Sequence, residues 1–166
     1  MTAAMEHDKT AERFEDSVQT GIVQTAAQME DALTIRRAVF IEEQAVTEAE
    51  EIDAYDGDPA QVTGAVHAIA YVGGQPVATG RLLLDAPAGR NAHIGRVAVL
   101  REHRRRGLGR AVMLTLQKEA ERRGYSDVTV AAQVQAIPFY ERLGYRAYGD
   151  VFLDARIEHR LMDLSL

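Results

Sequence analysis

Residues 94–110, IGRVAVLREHRRRGLGR, constrain this chain more than any other stretch. The apolar run Val97-Ala98-Val99-Leu100 is long enough for one buried strand. A polar turn follows, and Arg104-Arg105-Arg106-Gly107-Leu108-Gly109-Arg110 leads straight into a helical pattern. The first amides of a helix have no intrahelical acceptor, and the helix dipole places positive potential there. Glycine lets backbone approach a phosphate without an intervening Cβ. Arginines add charge and forked donors. Strand, basic turn and helix start together make an anion site, although the glycine spacing matches neither a Walker loop nor a dinucleotide fingerprint.

The remaining sequence sets the frame for that site. A chain of 166 residues is most simply one domain and can bury a normal core. Net charge of -6 argues against nucleic acid as a partner, because phosphate binding by counterion release needs a basic face. Five arginines (Arg101, Arg104, Arg105, Arg106 and Arg110) nonetheless fall close together, which suits a small polyanion better than a duplex. There is no cysteine, so disulfides, thiolate metal sites and thiol nucleophiles are out; a reducing, cytoplasmic setting fits. No apolar run reaches membrane-spanning length, so no membrane is expected as a partner. Residues 1–18 are polar, of mixed charge and without an apolar signal core, and read as a flexible tail before a single domain over 19–166.

Periodicity orders the domain. A short strand over 21–26 precedes a helix over 27–44, with Met29, Ala32, Leu33 and Phe40 near one face and Arg36 among them. Residues 42–58 carry eight acidic side chains and no Lys or Arg. They read either as a solvated loop or as a negative rim that attracts an amine. Strands over 65–72 and 76–84 flank Gly73-Gly74, a tight hairpin signal. A loop over 85–92 leads to the central strand, 94–100. The best helix is 108–123, with Leu108, Ala111, Val112, Leu116 and Ala120 as its stripe and Gly124 as its cap. A strand over 127–132 completes a βαβ unit whose strands should be parallel. A short helix over 135–143 and strands over 145–153 and 156–164 finish the chain. The fold class is mixed α/β.

A second motif sharpens this. Ala136, Phe139, Tyr140, Leu143, Gly144 and Tyr145 follow Arg104, Gly107 and Gly109 by about 30 residues. The pair resembles the GNAT superfamily of acyl-CoA-dependent N-acetyltransferases, from the first strand to the last. Val39-Phe40 with Glu43-Gln44, the Glu51 and Asp53 stretch, His67, Arg81, His159 and Met162 further resemble the bacterial ElaA-like acetyltransferases. Where the family often has Asn, this chain has Gln133.

The resemblance implies a mostly antiparallel mixed sheet with a central splayed parallel pair and helices on both faces. It implies acetyl-CoA as acyl donor, CoA as product and no metal. The pantetheine arm would pair with backbone of Val97, Ala98 and Val99. The pyrophosphate would lie on amides of Arg105, Arg106, Gly107, Leu108, Gly109 and Arg110, with Arg104, Gln133 and Phe139 completing the cofactor site. A small-molecule amine would attack the thioester directly. An amide of Ala98 or Val99 would polarise the carbonyl, and Tyr140 would hydrogen-bond or protonate the leaving thiolate. Acceptor-side candidates are Glu43, Glu51, Asp53, His67, Arg81 and His159; Arg81 equally suits an ion pair with Asp53 or Asp56. The base is open among Glu43, Glu51, His67, His93 and His159. An acyl-CoA-binding sensor without catalysis, an acetyltransferase for protein N-termini or lysines, and a homodimer all stay compatible.

Overall fold

The computed structural model describes residues 17–84 and 91–166. Most of the expected tail and most of the expected loop over 85–92 lie outside the described residues. The elements are β1 (Val18–Ile22), α1 (Ala26–Arg36), α2 (Glu48–Glu51), β2 (Ala65–Val72), β3 (Gln75–Leu83), β4 (Ala92–Val99), α3 (Leu108–Arg122), β5 (Asp127–Gln133), α4 (Ile137–Arg142), β6 (Arg146–Asp154) and β7 (Ile157–Ser165). The strands form one seven-stranded sheet in the order β1-β2-β3-β4-β5-β7-β6. Every neighbour pair is antiparallel except β4 and β5, which are parallel. The expected mixed, mostly antiparallel sheet is therefore present.

Two cores sandwich the sheet. On one face Leu108, Val112, Met113, Leu116 and Ala120 of α3 pack with Tyr140 and Tyr145 against the strands. On the other, Met29, Ala32, Leu33 and Ile35 of α1 join Val39, Phe40, Ile69 and Ala98. Helices thus cover both faces, as a sheet with a βαβ centre requires. Gly73 and Gly74 both have positive φ in the β2–β3 turn. The β6–β7 turn achieves the same with Ala155 and Arg156, neither of them glycine.

Four local expectations change. The strand expected over 21–26 is β1, Val18–Ile22, so it begins inside the expected tail and stops short of the Thr25 helix cap. The helix expected over 27–44 is α-helical only to Arg36 and continues as a π-type stretch, Arg37–Glu43. The helix expected over 135–143 divides into a 3-10 turn, Val134–Ala136, and α4. The acidic stretch is neither a plain solvated loop nor a free negative rim. It folds as α2 and a further 3-10 turn, Ala54–Asp56, each with a reciprocal side-chain cap. Glu51 and Asp56 turn inward and are 3% and 6% exposed.

Candidate active site

The site begins with a register shift. β3 pairs Arg81 with Gly95 and Thr79 with Ala98, so β4 carries more residues than its partner between those points. Arg96 takes a φ of 53° there. A bulge bends its strand and interrupts pairing. β4 and β5 are in register only at Ala92–Val128, His93–Thr129 and Ile94–Val130. β5 instead follows β7 to its end, where Gln133 faces His159. The central parallel pair is splayed beyond Ile94 and Val130.

A cavity of about 1140 Å³ runs through this gap. One end meets the basic turn. Gly107 holds a φ of 78° and precedes α3 without any side-chain cap, so the first amides of the helix are free for an anion. Arg105 and Arg110 also line this end. Arg104 is engaged within the protein. Its Nε donates to the Val99 carbonyl at 2.9 Å, and its Nη2 meets both Glu43 oxygens at 2.9 and 3.0 Å.

Tyr140 lines the cavity and is 8% exposed. Phe139 and Tyr145 meet its ring edge-on at 5.0 and 5.7 Å. Burial pushes its hydroxyl up to about 12, so at neutral pH it is a donor. A Cβ on Gly109 would come within 3.3 Å of Phe139, which shows how closely α3 and α4 approach here.

The cavity gathers most of the expected site. Val97, Ala98, Val99, Arg104, Arg105, Gly107, Leu108, Gly109, Arg110, Gln133, Phe139 and Tyr140 line it, with Glu51, Arg81 and His159 at the far end. Arg106 is exposed beside it. Glu43, Asp53 and His67 are not on its wall; His67 lines a separate cavity of about 360 Å³. Gln133 exchanges two side-chain hydrogen bonds with Gln44, at 2.8 and 3.2 Å. That pair ties the end of β5 to the end of the π-type stretch.

The acidic residues at the far end are neutralised internally. Arg36, fully buried, donates from Nε to Glu51 at 2.7 Å and from Nη1 to Asp56 at 2.6 Å. Arg81 meets Asp53 at 2.8 Å and Asp56 at 3.1 Å. Arg96 reaches the second Glu51 oxygen at 3.3 Å. Burial alone would raise Asp56, but Arg36 outweighs it and brings the carboxyl down to about 2. Burial lowers His67, whose Nε2 donates to the Tyr55 carbonyl at 2.9 Å. At the rim, Glu50 pairs with Arg156 at 2.9 Å and joins α2 to the β6–β7 turn. The sequence signal for this cluster is an arginine, Arg36, on an apolar helix face close to an acidic run.

The comparisons agree with this geometry. Residues 29–145 match the Acetyltransferase (GNAT) family. The chain is 37% identical over 142 residues to the uncharacterized N-acetyltransferase YjcF of Bacillus subtilis, covering 85% of this chain and 95% of that one. The crystal structure of an acyl-CoA N-acyltransferase from Pseudomonas aeruginosa superposes with a TM-score of 0.72 at 29% identity, over 89% of this chain and 99% of that one. Escherichia coli ElaA shares the fold, with a TM-score of 0.76 at 23% identity over 89% of this chain and 99% of its own. With the family match spanning the splay, the basic turn and the Tyr140 helix together, this chain belongs to the GNAT acetyltransferase family.

Proposed function

We propose that this chain transfers an acetyl group from acetyl-CoA to the amine of a small-molecule acceptor. The observation that carries the reading is one continuous cavity that joins a free helix N-terminus to the open side of a splayed strand pair, with Tyr140 between them. The amides of Gly107, Leu108 and Gly109, with Arg105 and Arg110, suit a pyrophosphate. Backbone of Val97, Ala98 and Val99, freed from β5, suits an extended amide-bearing arm. Acetyl-CoA supplies an activated acyl carbon.

The chain's own groups then divide the work. The Ala98 or Val99 amide polarises the carbonyl, because a fixed donor aimed at developing charge costs no reorganisation. The Tyr140 hydroxyl holds the departing sulfur by a hydrogen bond. The acceptor enters at the end lined by Val39, Phe40, Val46 and Ile157. Charge pairing among Glu50, Glu51, Asp53 and Asp56 favours a small amine over a basic protein tail, since little free negative potential is left to attract one.

The test is a thiol-release assay on acetyl-CoA over a panel of amines, with the Tyr140→Phe variant alongside. Wild type is expected to release CoA thiol with at least one small amine. The variant should lose about 10²-fold or more in kcat with acetyl-CoA affinity unchanged. Unchanged turnover in the variant would remove Tyr140 from the mechanism. Acetylation of protein lysines but of no free amine would overturn the acceptor class.

A further inference from the structure

An attacking amine must lose a proton, and the cavity holds few groups able to take it. Glu43 is engaged by Arg104 and lies off the cavity wall. Both Glu51 oxygens face arginines, Arg36 at 2.7 Å and Arg96 at 3.3 Å. His67 belongs to the other cavity. His93 and His103 also line the cavity, but His93 stands in register with Thr129, where β4 and β5 are still closed, and His103 sits in the turn after β4 beside the basic anion end.

His159 differs from all of these. It lines the cavity, is 8% exposed, and sits opposite Gln133 at the open end of β5. Its Nδ1 is 2.7 Å from the Ile157 carbonyl. A carbonyl only accepts, so Nδ1 carries the hydrogen, and in the neutral ring Nε2 keeps its lone pair. Phe152 stacks against the ring, with centroids 5.9 Å apart and 24° between planes. Nε2 has no hydrogen-bond partner among the described residues. The charged groups on the adjoining wall are Glu50, held by Arg156, and Asp154.

We infer that His159 is the catalytic base, its Nε2 taking the proton from the attacking amine; this rests on the acetyl-transfer reading. The amine nitrogen bonds to the thioester carbonyl carbon and one nitrogen-bound proton passes to Nε2. The carbon–sulfur bond breaks with its electron pair going to sulfur. The Tyr140 hydroxyl holds the thiolate until the proton returns from His159 through water, so CoA leaves as the thiol and the ring is neutral again. The Ile157 carbonyl sets the tautomer, which is the role such an acceptor plays for any histidine base.

The experiment pairs wild type with His159→Gln and compares two acceptor classes. An alkylamine adduct needs a base to lose its proton; an adduct of hydroxylamine or an aryl amine is acidic enough to give it to water. With the alkylamine, the variant should lose roughly 10²- to 10⁴-fold in kcat/KM. With the weakly basic nucleophile it should lose far less, and acetyl-CoA affinity by calorimetry should be unchanged. Nitrogen-15 NMR of the wild-type ring should show Nδ1 protonated and Nε2 bare, a readout that needs neither turnover nor a folded variant. Equal losses on both acceptors, an unaffected alkylamine rate, or a protonated Nε2 in the neutral ring would each overturn the base assignment alone. A wild type that binds acetyl-CoA but acetylates nothing in the panel would overturn the transfer reading and this inference together.

Discussion

Arg36 shows how one side chain can organise a loop full of like charge. It is fully buried and spans Glu51 and Asp56, which sit 15 and 20 residues away in sequence. Its Nη2 also donates to the Glu51 carbonyl at 2.7 Å. Without that cation, two inward carboxylates would lie close together in a medium that solvates them poorly. Arg36→Met should therefore lower the stability of unfolding by about 3–5 kcal/mol, read from the denaturation midpoint at unchanged m-value. A loss under about 1 kcal/mol would mean that Arg81 and Arg96 suffice to hold the carboxylates. Arg36 was visible in the sequence as a charge on an apolar face. Its partners were not, because nothing local distinguishes the inward Glu51 and Asp56 from the exposed Glu48 and Asp58.

Among the elements, β4 and α3 matter most, and α3 lies close against the sheet. A Cβ on Gly80 of β3 would meet Val112 at 2.8 Å and Leu116 at 3.0 Å, so α3 lies directly on the sheet beside the bulge. Gly80→Ala should destabilise the fold by about 1–3 kcal/mol. The cost should shrink when Val112→Ala is added, because the two residues share one space. Strictly additive effects, measured in a double-mutant cycle, would contradict that packing. Most strands and α3 were legible because their periods are clean and glycines punctuate them: β2 matches its expected span, and α3 ends one residue early, whereas β1 begins three residues before the expected strand start. The π-type stretch was not legible, since a change of helical pitch leaves no mark in an apolar pattern that already curves around Phe40. The splay was implied by resemblance and has its physical cause at Arg96, a bulge that no local pattern predicts.

At the scale of the whole molecule, the sheet acts as a frame with one deliberate opening. β1 to β4 form one antiparallel block, and β5, β7 and β6 form another. They are joined at the three residue pairs where β4 and β5 meet. The cavity passes between the blocks, with the anion end against α3 and the opposite end bounded by the Glu50–Arg156 contact. The anion end was readable from residues 94–110 because helix starts, glycines and arginines announce themselves locally. The opposite end draws on the π-type stretch, α2, β3, β4 and β7, and only the folded chain brings those segments together. The measurement that bears most directly on this architecture is calorimetric titration of the protein with acetyl-CoA and with CoA. Both should bind at a single site and compete with each other, since each presents the same pyrophosphate and pantetheine to the gap. A protein that binds neither would contradict the assignment of the splayed strands and the α3 N-terminus as an acyl-CoA site.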